Sequence, residues 1–222
     1  MTPTTAGGPL VLPADDPAAI ALAIERLASG GVVAVPTDTV YGIAASLAAP
    51  SALRRIFEIK GRSTLKSLPV LVAGDEQVAR VAMAAPPDLL ALARRYWPGP
   101  LTLVLPAEPD LPAEVVAVDA AGRRTVGVRV PDHAWTRRLI VGAGGALAVT
   151  SANRSGEPES RSVAEVVAAC PTVDLVLDDG PSPGGLPSSV VAALDGGLQV
   201  LREGAIPAEV LQRCWQDVTG RS

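Results

Sequence analysis

Residues 32–46, VVAVPTDTVYGIAAS, change character twice within one short segment. Val32-Val33-Ala34-Val35 is a continuous apolar run, the pattern of a buried strand. Pro36 ends it, because a proline offers no N–H to a ladder and restricts the residue before it. Thr37-Asp38-Thr39 has the short hydroxyl and carboxylate side chains of a turn. After Tyr41-Gly42, the stretch Ile43-Ala44-Ala45-Ser46 is extended again. Two strands this close, with no helix between them, predict a mixed α/β sheet rather than a regular doubly wound one.

The flanking sequence supplies the covering helices. Asp15 or Asp16 caps a helix through about Ser29, with Pro17 in its first turn, an apolar stripe at Ile20, Ile24 and Leu27, and a stop at Gly30-Gly31. A second helix is expected over 50–59, with Leu53, Ile56 and Phe57 inward. A strand follows over 69–73, then helices over 75–84 and 87–96, a break at Trp97-Pro98-Gly99-Pro100, and a strand over 101–105. Further strands are predicted over 125–130, 146–150, 174–178, 188–194 and 198–202, with helices near 133–141, 162–169 and 209–218. Residues 1–12 read as a loose, flexible tail leading into a strand, and 13–218 as one domain without internal repeats. The segment 178–188, DDGPSPGGLPS, is rich in turn residues and short enough to be a mobile loop rather than a linker.

At 222 residues the chain can build one sizeable core, and with 48% apolar but 3% aromatic residues that core must be aliphatic. This suits a sheet covered by helices. A net charge of −4 disfavours stable duplex binding but leaves room for a local basic cleft. Cys170 and Cys214 lack a CxxC partner and read as reduced thiols of a cytoplasmic protein; with His133 the single histidine, a zinc set is not expected. The N-terminal sequence has no basic region followed by an apolar one, and no apolar run approaches the length of a membrane span, so neither a signal peptide nor a membrane segment is expected.

Lysine occurs twice, at Lys60 and Lys66 of IFEIKGRSTLKS (56–67), against seventeen arginines. A compact ammonium and a planar guanidinium are not interchangeable at a phosphate. Lys60 and Arg62 also fit the favourable charge of a helix C-terminus, which does not account for Lys66. Other polar groups gather at strand ends. PTDTVYG (36–42) alone reads as an Asx/ST turn. WPGPLT (97–102) is a rigid turn into a strand, with Trp97 as packing. In GVRVP (127–131), Arg129 alternates with Val128 and Val130 and faces the other side of the sheet, as a solvated residue or as a carboxylate or phosphate clamp. TSANRSG (150–156) places Ser151 and Asn153 at a strand's carboxyl end, as a cap or as anion donors. SSVV (188–191) and LREG (201–204) bring Ser188 and Arg202. His133 after Pro131-Asp132 is structural at a helix start; without another histidine, Ser151 has no triad partner. Neither a Walker A nor a GxGxxG-helix pattern is present. The residues themselves imply an anion pocket lined by lysine and arginine on an α/β sheet.

The ordered set PTDTVYG, KGR, WPGPLT, GVRVP, TSANRSG, SSVV and LREG resembles the YrdC/TsaC family of threonylcarbamoyl-AMP synthases, over about residues 17–210. The resemblance implies a YrdC-like twisted open sheet with flanking helices and a concave, positively lined cavity, in the short single-domain form. It implies a nucleotidyltransferase: L-threonine, bicarbonate and ATP, with magnesium, give threonylcarbamoyl-AMP and pyrophosphate. Transfer proteins of the TsaD, TsaB and TsaE type then carry the group to the adenosine next to the tRNA anticodon. By the same resemblance Lys60, Arg62, Ser151 and Asn153 are the catalytic set that holds the phosphates. Lys66, Thr125 and Arg202 join them on the nucleotide, and Thr39, Arg129 and Ser188 contact threonine.

Three departures stand out: Ser63 and Ser67 where relatives often have proline after KGR and Pro-Leu further on, Glu159 near a nucleotide contact, and Ser189 for a threonine. An acid at 159 needs a cation or an outward rotamer. Two other readings compete. One is the carbamoyl-adenylate chemistry of a hydrogenase-maturation carbamoyl transferase domain. The other is a non-catalytic RNA-binding module with weak RNA contacts on the basic concave face, which the charge and the scarcity of aromatics oppose.

Overall fold

The computed structural model describes residues 8–61, 63, 66–194 and 196–220. Strands β1 (Leu10–Pro13), β2 (Val33–Val35), β3 (Gly42–Ser46), β4 (Val70–Val72), β5 (Leu101–Pro106), β6 (Ala117–Val118), β7 (Arg124–Arg129), β8 (Ala146–Ser151), β9 (Leu175–Asp178), β10 (Ser189–Leu194) and β11 (Gly197–Arg202) form one mixed sheet. Its order is β1-β9-β2-β3-β8-β4-β7-β5-β10-β11, with β6 beside β7. Helices α1 (Pro17–Ala28), α2 (Pro50–Lys60), α3 (Pro87–Ala93), α4 (Ala134–Gly142), α5 (Val163–Ala169) and α6 (Ala208–Thr219) cover its faces.

The alternation of β2 shows how the core divides. Val33 and Val35 pack with Leu71, Leu147, Val149, Leu175 and Leu177 beneath α1 and α4. Val32 and Ala34 belong to the larger opposite layer, with Leu53, Ile56, Val128, Leu211 and Trp215. The continuous apolar run is therefore buried on both faces, as its composition predicts. Asp16 caps α1 by accepting from the Ala18 N–H at 2.8 Å, and Pro17 stands at its first turn. Gly61, in the left-handed conformation at φ 56°, ends α2 directly after Lys60.

Register gathers the polar strand ends. Val35 lies across from Gly42, Gly42 across from Ser151, and Leu71 across from Arg129. The antiparallel pairs β2–β3 and β3–β8 confirm the mixed sheet.

Three expectations need correction. The tail does not extend to residue 12, because Leu10–Pro13 pair in parallel with β9; residues 1–7 lie outside the described set. The expected helix over 75–84 is a 3-10 turn over Asp75–Arg80, since the Met83 N–H is taken by Pro106 O and Ala82 bridges Ala107 at the end of β5. The helix expected to 96 ends at Ala93, just before the Trp97-Pro98 step. Strand β6 was too short to leave a periodic signal.

Asp174 joins the two layers of chain around β2. Its Oδ2 accepts from the Val32 N–H at 2.7 Å and from Arg55 Nη1 at 2.6 Å, while Oδ1 accepts from Arg55 Nη2 at 3.1 Å. Val32 is fully buried, so Asp174→Ala strands its N–H as well as breaking the fork. The expected loss is about 1–3 kcal/mol, read from chemical denaturation with an unchanged m-value.

Candidate active site

A cavity of about 160 Å3 is lined by residues of β3, β8, β4, β7, β5 and β11 and of the turns at 37–41 and 187–188. Arg129, at the end of β7, is buried at one end of it. Its Nε donates to Gly99 O at 2.9 Å, Nη1 to Thr39 Oγ1 at 2.9 Å and Nη2 to Asp38 Oδ1 at 2.6 Å. The Asp132 N–H also donates to Asp38 Oδ1, at 3.0 Å. Thr37 Oγ1 donates to Val40 O at 2.6 Å, and so shapes the turn that presents Thr39. The 36–42 segment is thus a turn, as its chemistry suggests, and it also supplies the counter-ion of Arg129. Burial pulls the Arg129 pKa down, Asp38 opposes this, and the charge of Arg202 adds to the depression. A guanidinium carries more N–H donors than these three contacts use, so part of the fork remains for an anion.

Arg202, at the end of β11, lines the cavity near Ser188. Its Nη2 donates to Ser188 O at 2.7 Å and lies 3.2 Å from Ser188 Oγ, which shares a hydrogen bond with Thr102 Oγ1 at 2.8 Å. Ser189 organises the turn behind it: its Oγ donates to Ile206 O at 2.7 Å and accepts from the Gly204 N–H at 2.9 Å. Serine in place of threonine at 189 keeps the hydroxyl that this needs. Burial lowers the Arg202 pKa and the Glu159 carboxylate opposes it.

Lys60 is buried at the last position of α2. Its Nζ donates to Ser151 O at 2.5 Å and to Asn153 O and Oδ1 at 2.8 Å each, and stands 3.5 Å from Ser151 Oγ. The Ser155 N–H returns to Lys60 O at 2.9 Å. Ser151 Oγ donates to Asn153 Oδ1 at 2.6 Å, and Asn153 Nδ2 donates to Glu157 O at 2.6 Å. TSANRSG is thus wound around the ammonium, and α5 begins later with its own cap, Ser162. Lys60 holds the loop that presents Ser151 to the cavity.

Of the residues singled out from sequence, Thr39, Arg129, Ser151, Ser188 and Arg202 line this cavity, and Lys60 and Asn153 support it from behind. Thr125 shares the face of Arg129 by strand alternation but pairs at the far end of β7, where its Oγ1 meets Ala117 O at 3.4 Å. Lys66 is exposed, with its backbone in the bend after Ser63; Ser67 lines the cavity. Arg62 lies outside the described residues. Trp97 packs in the turn, donating from Nε1 to Leu101 O at 2.6 Å. Asp38, Thr102 and Tyr41 were not singled out. Their partners lie far away in the chain, so local patterning carries no trace of them.

A wider depression of about 340 Å3 lies between α3 and α6, beside Arg95, Tyr96 and Cys214. Arg95 there already faces Asp217 at 3.7 Å, and the strand ends contribute nothing to it. The smaller cavity is the one where unlike polar groups converge. Cys170 and Cys214 are buried free thiols.

The Sua5/YciO/YrdC family model, described as telomere recombination, matches residues 25–204. The chain belongs to the Sua5/YciO/YrdC family. It is 35% identical to a Pyrococcus abyssi threonylcarbamoyl-AMP synthase over 87% of this chain and 56% of the relative. It is 38% identical to a Halorhodospira halophila threonylcarbamoyl-AMP synthase over 69% of this chain and 78% of the relative. The crystal structure of Pyrococcus abyssi Sua5 complexed with L-threonine superimposes with a TM-score of 0.81 at 34% identity, covering 91% of this chain and 57% of that one. The chain thus spans a little over half the length of the Pyrococcus relative. The YrdC-like twisted open sheet expected from sequence is the fold observed. Among the described residues no helix is long and apolar enough to cross a membrane.

Asp38→Ala leaves the buried Arg129 charge without its partner and should destabilise the protein by about 3–5 kcal/mol in thermal or chemical denaturation; Asp38→Asn, which keeps an acceptor, should cost less. His133 gives a pH test. Its Nδ1 caps α4 by accepting from the Thr136 N–H at 3.4 Å, and burial pulls its pKa below the ordinary 6.5 despite neighbouring carboxylates. The unfolded chain takes up the proton first, so this stability is complete above the unfolded pKa and declines as pH falls toward the folded one. Stability measured from about pH 7 to 5.5 should therefore fall less steeply in His133→Asn than in wild type.

Proposed function

We propose that this chain is an L-threonylcarbamoyladenylate synthase, forming threonylcarbamoyl-AMP and pyrophosphate from L-threonine, bicarbonate and ATP. The observation that carries the reading is a buried guanidinium held beside a threonine hydroxyl in a cavity that Ser151, Ser188 and Arg202 also line. The relatives' names and the threonine complex of the Pyrococcus protein support it.

The threonine carboxylate sits on the unused part of the Arg129 fork beside Thr39, with Ser188 nearby. Condensation of the threonine amine with bicarbonate gives a carbamate and water. A carbamate oxygen attacks the α-phosphorus of ATP, the bond to the β-phosphate oxygen breaks, and pyrophosphate leaves with the electron pair. Carboxylate, carbamate and triphosphate repel one another, so the catalyst must position and neutralise rather than supply a nucleophile. Arg202 and the Ser151 loop serve the nucleotide. Lys60 acts from behind that loop, fixing it and adding positive charge close to the Ser151 hydroxyl. The cavity is smaller than the roughly 300 Å3 of an ordinary ligand pocket. A cavity of that size suits the amino acid, with the nucleotide extending beyond it.

Among the described residues no group of three or more His, Cys, Asp or Glu side chains forms a metal set. A magnesium ion would thus be held mainly by phosphate oxygens and water, the common arrangement for this ion, and would supply charge neutralisation at the leaving group. The product is a mixed anhydride, which tRNA-modifying transfer proteins of the TsaD, TsaB and TsaE type would consume. The RNA-module alternative lacks comparable support: the polar groups converge into a small pocket in which Tyr41 is the aromatic residue.

Pyrophosphate release should require ATP, bicarbonate and L-threonine together. Lys60→Ala should lower kcat by about a hundredfold. Arg129→Lys, which keeps the charge but loses the fork, should raise KM for threonine about tenfold with a smaller change in kcat. Release that is indifferent to threonine, or absent from folded wild type, would overturn the reading.

A further inference from the structure

We propose that His133 and Asp179 form a latch holding segment 179–187 against the Thr39 end of the cavity, so that both act as positioning residues for the amino-acid substrate. This rests on the synthase reading above. The imidazole is used at both nitrogens. Nδ1 accepts from the Thr136 N–H, so the ring proton resides on Nε2, which donates to Asp179 Oδ2 at 3.0 Å. His133 is thereby tied to the start of α4, where Thr136 Oγ1 donates to Pro36 O at 2.6 Å. The latch thus connects the loop to the backbone that leads into the 36–42 turn.

The loop beyond Asp179 is docked by main-chain contacts. Tyr41 Oη donates to Gly180 O at 2.7 Å and accepts from the Asp179 N–H at 3.3 Å. Burial, with Asp178 and Asp179 close by, pushes the Tyr41 pKa up to about 12, which keeps the phenol a donor. The Gly185 N–H donates to Thr39 O at 2.8 Å. Gly184 lies so close that a methyl group there would come within 2.5 Å of Asp38 O and 3.0 Å of the Thr39 Cα. Pro187, three residues further, is a wall of the cavity. Docking also buries Ser182 Oγ without a partner among the described residues, an unfavourable term that other contacts must offset. The latch is one such contact, made between two side chains at the start of the loop.

Asp38 links the two ends of this arrangement: it holds Arg129 through its side chain and supports Gly184 through its backbone. Releasing the loop loosens the frame of Thr39 and Arg129 and removes the Pro187 wall. The loss should appear in threonine binding rather than in the chemical step.

The test uses His133→Asn, Asp179→Ala and Asp179→Asn in the full chain. Asparagine at 133 keeps a good helix cap but is too short to reach Asp179, so cap and latch separate. Asparagine at 179 still offers an oxygen to Nε2. His133→Asn and Asp179→Ala should each raise KM for L-threonine about tenfold with kcat within about twofold, and the double variant should be no worse than either single one. Asp179→Asn should stay close to wild type. Hydrogen exchange should show protection of the Gly185 amide lost in the first two variants and retained in the third. Intact protection at Gly185 in His133→Asn overturns the latch whatever the activity. Lost protection with an unchanged KM overturns the positioning role while leaving the synthase reading in place. If wild type releases no pyrophosphate with threonine, the synthase reading and the positioning role that rests on it both fail, and the exchange experiment alone decides the latch.

Discussion

The buried guanidinium of Arg129 constrains the middle of this molecule. A charge taken out of water is tolerated when its partners are fixed, and two separate parts of the chain provide them: Asp38 and Thr39 after β2, and Gly99 before β5. The turn after β2, the turn into β5 and the end of β7 must all arrive together for the charge to be accommodated. The mixed sheet makes this possible, because the antiparallel insertion of β3 and β8 brings strand ends of both directions into one neighbourhood. The packing of the fold and the lining of the candidate site thus rest on the same side chain.

Lys60 poses the same problem differently. Its ammonium is matched by carbonyl and amide oxygens of the loop after β8. A compact, rotatable cation can sit at the centre of such a loop, where a planar guanidinium would demand a coplanar arrangement of acceptors. That offers a physical reason for a chain dominated by arginine to keep lysine here. The contrast with exposed Lys66 is instructive: two lysines six residues apart occupy entirely different environments.

Most of the strand and helix order could be read from sequence because the core is aliphatic and its periodicity is clean. The run at 32–35, the capped helix after Asp16 and the alternation around Arg129 all hold. The failures have local causes. Residues 75–84 have a helical pattern, but Met83 and Ala82 are claimed by the end of β5, a tertiary pairing that propensity cannot report. Within the site, the residues on recurring motifs were legible, whereas Asp38 as counter-ion and the Thr102–Ser188 pair were not. In each case the partner lies some ninety residues away, and one polar side chain in a turn looks like any other until the sheet brings its partner in. His133 could be read as structural from its place after Pro131-Asp132, yet its contact with Asp179 could not.

The order of strands also governs how the protein can be made. β2 finds one neighbour, β3, within a few residues, but its other neighbour is β9, with Val33 across from Leu175 and Leu10 of β1 beside the same strand. During synthesis the apolar edge of β2 therefore waits for nearly two thirds of the chain to follow it out of the ribosome. At the usual rates of about 5–20 residues per second this interval is on the order of ten seconds. Throughout it the nascent chain carries an unfilled slot one strand in from the edge of its future sheet, suited to β9 and equally open to any other extended apolar segment. This topology thus delays completion of the sheet until its late strands exist, which favours slow over rapid folding.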